Sequence, residues 1–237
     1  MTKNHSQRKG INIQGTRKRR KLLEASGEAF SKMGYEGTTI RDIADIAKVQ
    51  PSALIYHFDN KKNLFYATLR HHVQENKNLK SIFEPLEKLD NSATEQSLAD
   101  AIFATTKNIL TALFGPKGKI PYLRGLLITM LIDGDKFANH IIQEFGVNSM
   151  AKADEILKVL RPNLTHGDLF WARHLYWSMV FYSVVCQQLL LARTKEKKYT
   201  QEFIYTYALR MTRSYCSRFN LPAPDGSENW VYNDITE

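Results

Sequence analysis

Three observations predict an all-α fold. Apolar residues recur at three- and four-residue steps through most of the chain. Cap residues precede those stretches, and Gly or Pro closes them. No turn dipeptide flanked by alternating β-branched residues, the mark of a hairpin, occurs anywhere. With 237 residues and 43% hydrophobic content, the chain is long enough for a real core, as one large domain or a small one joined to a larger one.

The first helix is expected from about Arg17 to Met33, with Leu22, Ala25, Ala29, Phe30 and Met33 on one stripe and Gly34 and Gly37 bracketing its exit. Thr39 is a good N-cap, and Asp42 stands three residues on in the capping-box relation, so IRDIADIA reads as the second helix. Its inward residues are Ile40, Ile43, Ala44 and Ala47. Lys48, Val49 and Gln50 form a three-residue turn, and Pro51 suits the first turn of a third helix ending near His57. Asn60 caps a fourth, which begins at Lys61 and runs past His72 toward Leu79. Pro85 and the polar DNSATE then mark a break. Further helices are expected over roughly 94–114, 121–133, 135–145, 148–160, 168–192 and 201–219, separated by GPKGKIP, Gly134, Gly146, the RPN segment and TKEKK. The pattern divides the chain into a basic flexible arm (1–15), a small domain (16–72), a larger helical domain (73–220) and a tail (221–237) carrying Trp230 as an aromatic anchor.

The formal charge of +9 is concentrated at one end. Residues 1–21 carry +8 and no acid, residues 22–72 sum to zero, and the remainder supplies +1. Such an arm is an electrostatic contact for a polyanion, or else a solubilising tail. Cys186 and Cys216 have no Cys or His at ligand spacing and read as free thiols in a reducing cytoplasm. The N-terminus has no apolar stretch of the secretory kind, and the most apolar window, SMVFYSVVCQQLLLA, is shorter than a bilayer span. A cytoplasmic, nucleoid-associated protein is the expectation. No nucleophile stands at usable spacing from a base, and neither a Gly-rich phosphate loop nor a plausible carboxylate pair appears, so an enzyme is not expected.

Two short helices joined by a three-residue turn and backed by a first helix make a helix-turn-helix module, whose second helix fits the DNA major groove. Leu54 and Phe58, four apart, would pack on Ile40, Ile43 and Val49. This leaves Gln50, Pro51, Ser52, Ile55 and Tyr56 on the open side. Tyr56 and His57 fall where a groove-bound helix meets the sugar-phosphate wall, and each has a proton to donate to phosphate oxygen. Lys61, at a helix start, adds its ammonium to free backbone N–H groups, and Thr38 and Thr39 offer similar chemistry at the start of the second helix.

Residues 17–69, including AFSKMGYEGTTIRDIADIAKVQPSALIYHFDNKKNLF, resemble the DNA-binding domain of the TetR family of bacterial transcription regulators. The resemblance covers the first third of the chain. It implies an all-helical dimer, three N-terminal helices that bind operator DNA, and a larger helical domain that dimerises and holds a small effector. By position, Thr39, Tyr56, His57 and Lys61 match the family's phosphate contacts, and the open-side residues of the third helix match its base readers. Lys48 stands where many members have glycine, implying a left-handed residue at a cost of about 1 kcal/mol or more. Gln50 replaces a frequent Ser or Thr, Ile55 a common aromatic and Lys62 a common acid. Ile55 can meet a thymine methyl and Gln50 an adenine.

In the family the last two long helices pair with their copies in a four-helix seam, so a homodimer reading a palindrome with half-sites about 34 Å apart is expected. Trp171, His174, Ser178 and Tyr182 share a helical face and are candidates to line an effector pocket, with plain core or dimer seam as the competing reading. The stretch around them is similar to family members that answer to lipophilic effectors. No metal or other cofactor is expected. His71 and His72 are adjacent, so on a helix they point about 100° apart and cannot chelate together, and His140 and Glu144 make at most half a site, more simply a solvated pair. The resulting expectation is a ligand-responsive repressor that binds double-stranded operator DNA as a homodimer and is released by a small lipophilic effector. The alternative is an adaptor of the same fold that acts through protein contacts.

Overall fold

The computed structural model describes residues 4–74, 81–116, 120–133 and 150–225, the side chains of 4–14 and of 73–74 excepted. Every regular element among the described residues is helical. The chain divides into two compact units, one of residues 1–76 and 121–137, the other of 77–120 and 138–237.

In the first unit α1 (Asn4–Gly37) starts well ahead of Arg17 and breaks at Gly34, where φ is 72°. Its stripe is buried at Leu22, Ala25, Ala29 and Phe30, but Met33, in the last turn before the break, is 42% exposed. Helix α2 (Ile40–Ala47) begins with the expected capping box. Thr39 Oγ1 accepts from the Asp42 N–H at 3.1 Å, and Asp42 Oδ2 accepts from the Thr39 N–H at 2.7 Å. The Thr39 hydroxyl, which donates to Asp42 Oδ2 at 2.7 Å, and then the Thr39 N–H hold the Asp42 carboxyl below its ordinary pKa. Lys48 adopts the left-handed conformation (φ 54°, ψ 54°), and the N–H groups of Lys48 and Val49 close on the carbonyls of Asp45 and Ala44. That pairing is a Schellman motif with lysine in the position glycine usually takes.

Helix α3 (Pro51–Phe58) buries Leu54 and Phe58, and α4 (Lys61–Leu69) is capped by Asn60, whose Oδ1 accepts from the Asn63 N–H at 2.9 Å. The core between α1 and α4 includes an aromatic cluster in which Phe65 meets Phe30 edge-on at 4.9 Å and Tyr35 at 5.3 Å.

After α4 the chain widens into a π-helical turn, Arg70–Gln74. Here the expectation that two neighbouring histidines diverge is overturned. Their rings lie edge to face with centroids 4.9 Å apart, and both reach α1. His71 Nε2 is 3.2 Å from Glu24 Oε1, and His72 Nε2 is 3.1 Å from the Leu23 carbonyl. Space makes this possible: a Cβ at Gly27 would overlap the His72 ring. Burial pushes the His72 pKa down, and because a carbonyl oxygen can only accept, Nε2–H is the donor to Leu23.

The last helix of this unit, α7 (Leu123–Ile132), comes from much later in the chain and packs on α1. Thr129 Oγ1 is 3.1 Å from the Phe30 carbonyl, and Gly125 sits directly on Ser31. A Cβ there would overlap Ser31 backbone atoms, which have little freedom to retreat within α1. Gly125→Ala is therefore expected to destabilise the protein by about 1–3 kcal/mol. Thermal unfolding followed by circular dichroism checks this, and an unchanged Tm would show that the two helices separate at no cost.

The second unit contains α5 (Glu84–Glu87), α6 (Glu95–Phe114), α8 (Ala151–Leu160), α9 (His166–Val185), α10 (Gln187–Arg193) and α11 (Gln201–Arg218). Its core runs along α6 and α11 and includes Leu98, Ile102, Leu110, Tyr176, Val180, Ala208 and Leu209. Tyr176 and Thr106 share a buried hydrogen bond of 2.9 Å, and desolvation raises the Tyr176 pKa well above that of an ordinary phenol. Burial also pushes the Cys216 thiol up to about 12, which keeps it unreactive. The helix expected over 168–192 is two: it breaks at Cys186 with an 86° bend, and its true start is the capping box of Thr165 with Asp168. Among the described residues no single helix is long and apolar enough to cross a membrane. The expected 135–145 helix, His140, Glu144, the 75–79 continuation and Trp230 lie outside the described residues.

Candidate nucleic-acid interface

The face of α3 opposite its buried side is the most distinctive surface of the first unit. Leu54 and Phe58 anchor the helix inward at 1% and 5% exposure, which fixes its rotation. Every remaining side chain then follows from the 100° step of a helix. Tyr56 stands out at 84% exposure, Ile55 at 45%, and Gln50 and Ser52 are exposed beside them. Pro51 and His57 are half-buried at the two ends of the helix. Gln50 has extended backbone and makes no side-chain cap, so its carboxamide is not consumed in starting the helix. The Tyr56 and His57 rings meet edge to face at 5.2 Å, forming one aromatic and imidazole rim.

Of the residues singled out in the sequence, Gln50, Ser52, Tyr56 and His57 surround one shallow concavity, together with Val49, Ala53 and Lys18. Lys18 was not among the expected site residues. It belongs to α1, and its signal in the sequence was only one lysine in the run RKRRK. The run places exposed cations along α1 from Arg17 to Lys21, and Arg19 lies 5.2 Å over the Phe58 ring at the end of α3.

The remaining candidates are held differently. Thr39 is exposed, but its hydroxyl is engaged with Asp42 in the capping box. Lys61 lies over the Tyr35 ring at 4.4 Å with its Nζ 3.5 Å from the Glu36 carbonyl, and desolvation there lowers its pKa. Its charge is thus stationed at the junction of α1 and α4 rather than waving free. Thr38 does not belong to the face at all. It is fully buried and donates its hydroxyl to the Gly34 carbonyl at 2.6 Å, stitching the chain across the break in α1.

The four residues proposed from the sequence to line a pocket are corrected as well. Trp171 is 60% exposed, and His174, Ser178 and Tyr182 are exposed with it. They form the outer face of α9, while Leu169, Ala172, Tyr176, Val180 and Val184 face inward. His174 and Ser178 satisfy themselves on their own helix, on the carbonyls of Phe170 and Leu175. The helical spacing was right and its direction was reversed, because two stripes of this helix are apolar.

A family model described as "Bacterial regulatory proteins, tetR family" matches residues 22–68, the segment from the α1 core to the end of α4. The biofilm operon icaADBC HTH-type negative transcriptional regulator IcaR of Staphylococcus aureus is 36% identical over 50 residues, covering 21% of this chain and 27% of that protein. The HTH-type transcriptional regulator RutR of Escherichia coli is 38% identical over 53 residues, covering 22% of this chain and 25% of that protein. The chain thus matches about a quarter of the length of these relatives.

Solved structures extend the likeness in fold beyond that segment. A TetR-family regulator from Mesorhizobium loti superposes with a TM-score of 0.55 at 18% identity, over 85% of this chain and 96% of that one. The hemolysin II transcriptional regulator HlyIIR gives 0.50 at 20% identity, over 81% and 96%. Together with the capped α2, the left-handed turn and the outward face of α3, these matches show that residues 22–68 form a helix-turn-helix domain of the TetR type and that the chain shares the all-helical fold of those solved structures.

Proposed function

We propose that the protein is a transcriptional repressor that binds a palindromic operator as a homodimer and releases it when a small lipophilic effector binds. The observation that carries this reading is the outward face of α3. A phenol at 84% exposure, an amide and a hydroxyl stand on a helix whose rotation is fixed by two buried anchors, with the cations of α1 at its side. Such a face suits a groove: phenol, imidazole and lysine donate to phosphate, while Gln50 and Ile55 meet base edges. IcaR is a negative regulator, which supports the repressor sign.

The dimer reading is supported by the exposed apolar stripe of α9 and α10, where Phe170, Trp171, Leu175, Tyr182, Val185 and Leu189 lie open to solvent. Large apolar side chains gathered in the open in this way mark an interface. Support for an effector comes from the interior of the second unit. Thr105 Oγ1, Tyr215 OH and Asp154 Oδ1 are buried there without a hydrogen-bond partner among the described residues, and the Tyr215 ring lies edge-on to Tyr176 and Phe219. A mostly apolar molecule with one polar end would satisfy such atoms. The effector acts by favouring a dimer whose two reading heads no longer match the half-sites.

Titration of an operator selected from random DNA, repeated over a range of salt, tests the reading. Specific binding is expected to weaken steeply, with a log–log slope of about −0.9 for each phosphate neutralised. The competing reading, an adaptor of the same fold acting through protein contacts, requires a flat response or none.

A further inference from the structure

Glu24, His71 and His72 bring one carboxylate oxygen and two imidazole nitrogens within 4.8 Å of one another. We propose that these three side chains form a binding site for a divalent transition-metal ion, with zinc as the reference ion, that ties the π-helical turn after α4 to α1. The site lies within the first unit and apart from the α3 face.

The donor set fits such an ion. Two imidazoles and one carboxylate are borderline ligands that suit zinc and its neighbours and suit calcium or magnesium poorly. In a tetrahedral shell with bonds of about 2.0–2.1 Å, neighbouring donors stand roughly 3.4 Å apart. His71 Nε2 and Glu24 Oε1, at 3.2 Å, already have that separation. With its Nε2–H on the Leu23 carbonyl, His72 has Nδ1 left to ligate, and drawing donors that lie within 4.8 Å of one another to that separation takes movements of roughly 1.4 Å or less, within the reach of Glu24, whose side chain is 45% exposed.

Two features of the surroundings go beyond an ordinary ion pair between His71 and Glu24. The first is the backbone: π-helical turns are rare and concentrate at functional sites, and this one brings consecutive histidines to the same helix. The second is the seat made for His72. Gly27 leaves the space its ring occupies, and Tyr122 closes over it edge-on at 5.3 Å. One ligand is therefore fixed in the interior, while the other two stand at the rim, where an ion can enter from solvent. Three protein ligands leave a fourth position for water.

Full-length protein without a polyhistidine tag, titrated with zinc against a chromophoric chelator, is expected to bind one ion per chain. Cobalt at the same site should give visible d–d absorption of tetrahedral strength. His71→Ala and Glu24→Gln, at partly exposed positions where folding should survive, should each weaken zinc binding by about 100-fold or more, beyond what loss of an outer-shell group does. Zinc should also raise the Tm of the parent protein and leave that of both variants in place. The absence of stoichiometric binding overturns the proposal. So does binding that persists unchanged in both variants, since the ion would then be held elsewhere. None of these readouts involves DNA, so failure here is separate from failure of the repressor reading.

Discussion

A protein carrying Trp171→Glu together with Leu175→Glu is expected to sediment as a monomer and to bind a full palindromic operator at least about 100-fold more weakly than the parent. Both side chains point away from their own core, at 60% and 49% exposure, so the single chain has no reason to unfold when they change. The damage falls on association. Each new carboxylate would have to be buried against its copy, and two like charges across a twofold seam have no partner to offset their desolvation. Coupling to the operator follows from linkage: joining two reading heads typically raises affinity by about 10²–10⁴ over one head alone, and a monomer forfeits that gain. Affinity for a single half-site should be unchanged, because the α3 face is untouched. A variant that remained dimeric at micromolar concentration, or bound the full operator as well as the parent does, would remove the α9 stripe from the interface.

That stripe also shows where reading the sequence stopped. Trp171, His174, Ser178 and Tyr182 are correctly spaced for one helical face, and spacing cannot tell an inward face from an outward one when both are apolar. What separates them in the structure is Tyr176, whose hydroxyl finds Thr106 across the core while His174 and Ser178 of the neighbouring stripe, on the exposed side, bond to carbonyls of their own helix. The 86° bend at Cys186 was hidden for a similar reason. SVVCQQLLLA contains no Gly or Pro, so periodicity carried straight through it. Local chemistry, by contrast, was legible wherever it was self-contained. Thr39 with Asp42, Pro51 at a first turn and Asn60 before Lys61 each act within four residues and were placed correctly.

Long-range closure was the illegible part of the candidate site. Nothing near Gly125 says that it must touch Ser31, or that α7 belongs with the helix-turn-helix rather than with the helices around it. Lys18 is a comparable case. The sequence counted it as charge, and only the packing of α1 beside α3 puts it at the rim of the concavity with Tyr56. Thr38 fails in the opposite sense. Its position before a helix start suggested an exposed hydroxyl, but the break at Gly34 exposes a carbonyl that claims it. The two histidines show the same limit at shorter range, since the angle between neighbours on an ideal helix says nothing about a third residue, Gly27, that clears space for one of them.

Within the α3 face, affinity and sequence preference are expected to separate by residue. Tyr56→Phe removes one hydroxyl from a phosphate contact and should weaken binding to every operator sequence by a similar factor, roughly 1 kcal/mol or about fivefold. Lys18→Ala removes a charge and should make the salt slope shallower by about 0.9 without altering which sequence is preferred. Gln50→Ala and Ile55→Ala act differently, because a carboxamide on an adenine edge or a methyl group against thymine discriminates among bases. Each should lose about 1–3 kcal/mol of discrimination, between roughly five- and 150-fold, at one position of the half-site and little at the others. Binding of the four variants to a library of operators altered one base pair at a time measures both quantities together. Exposure alone cannot produce this division, since Tyr56 is nearly twice as exposed as Ile55 and is nevertheless assigned the smaller effect on preference. The division rests on chemistry and on position along the helix. If Tyr56→Phe shifted the preferred sequence while Ile55→Ala merely lowered all affinities, α3 would have to enter the groove in a different orientation, with its C-terminal end rather than its middle over the bases.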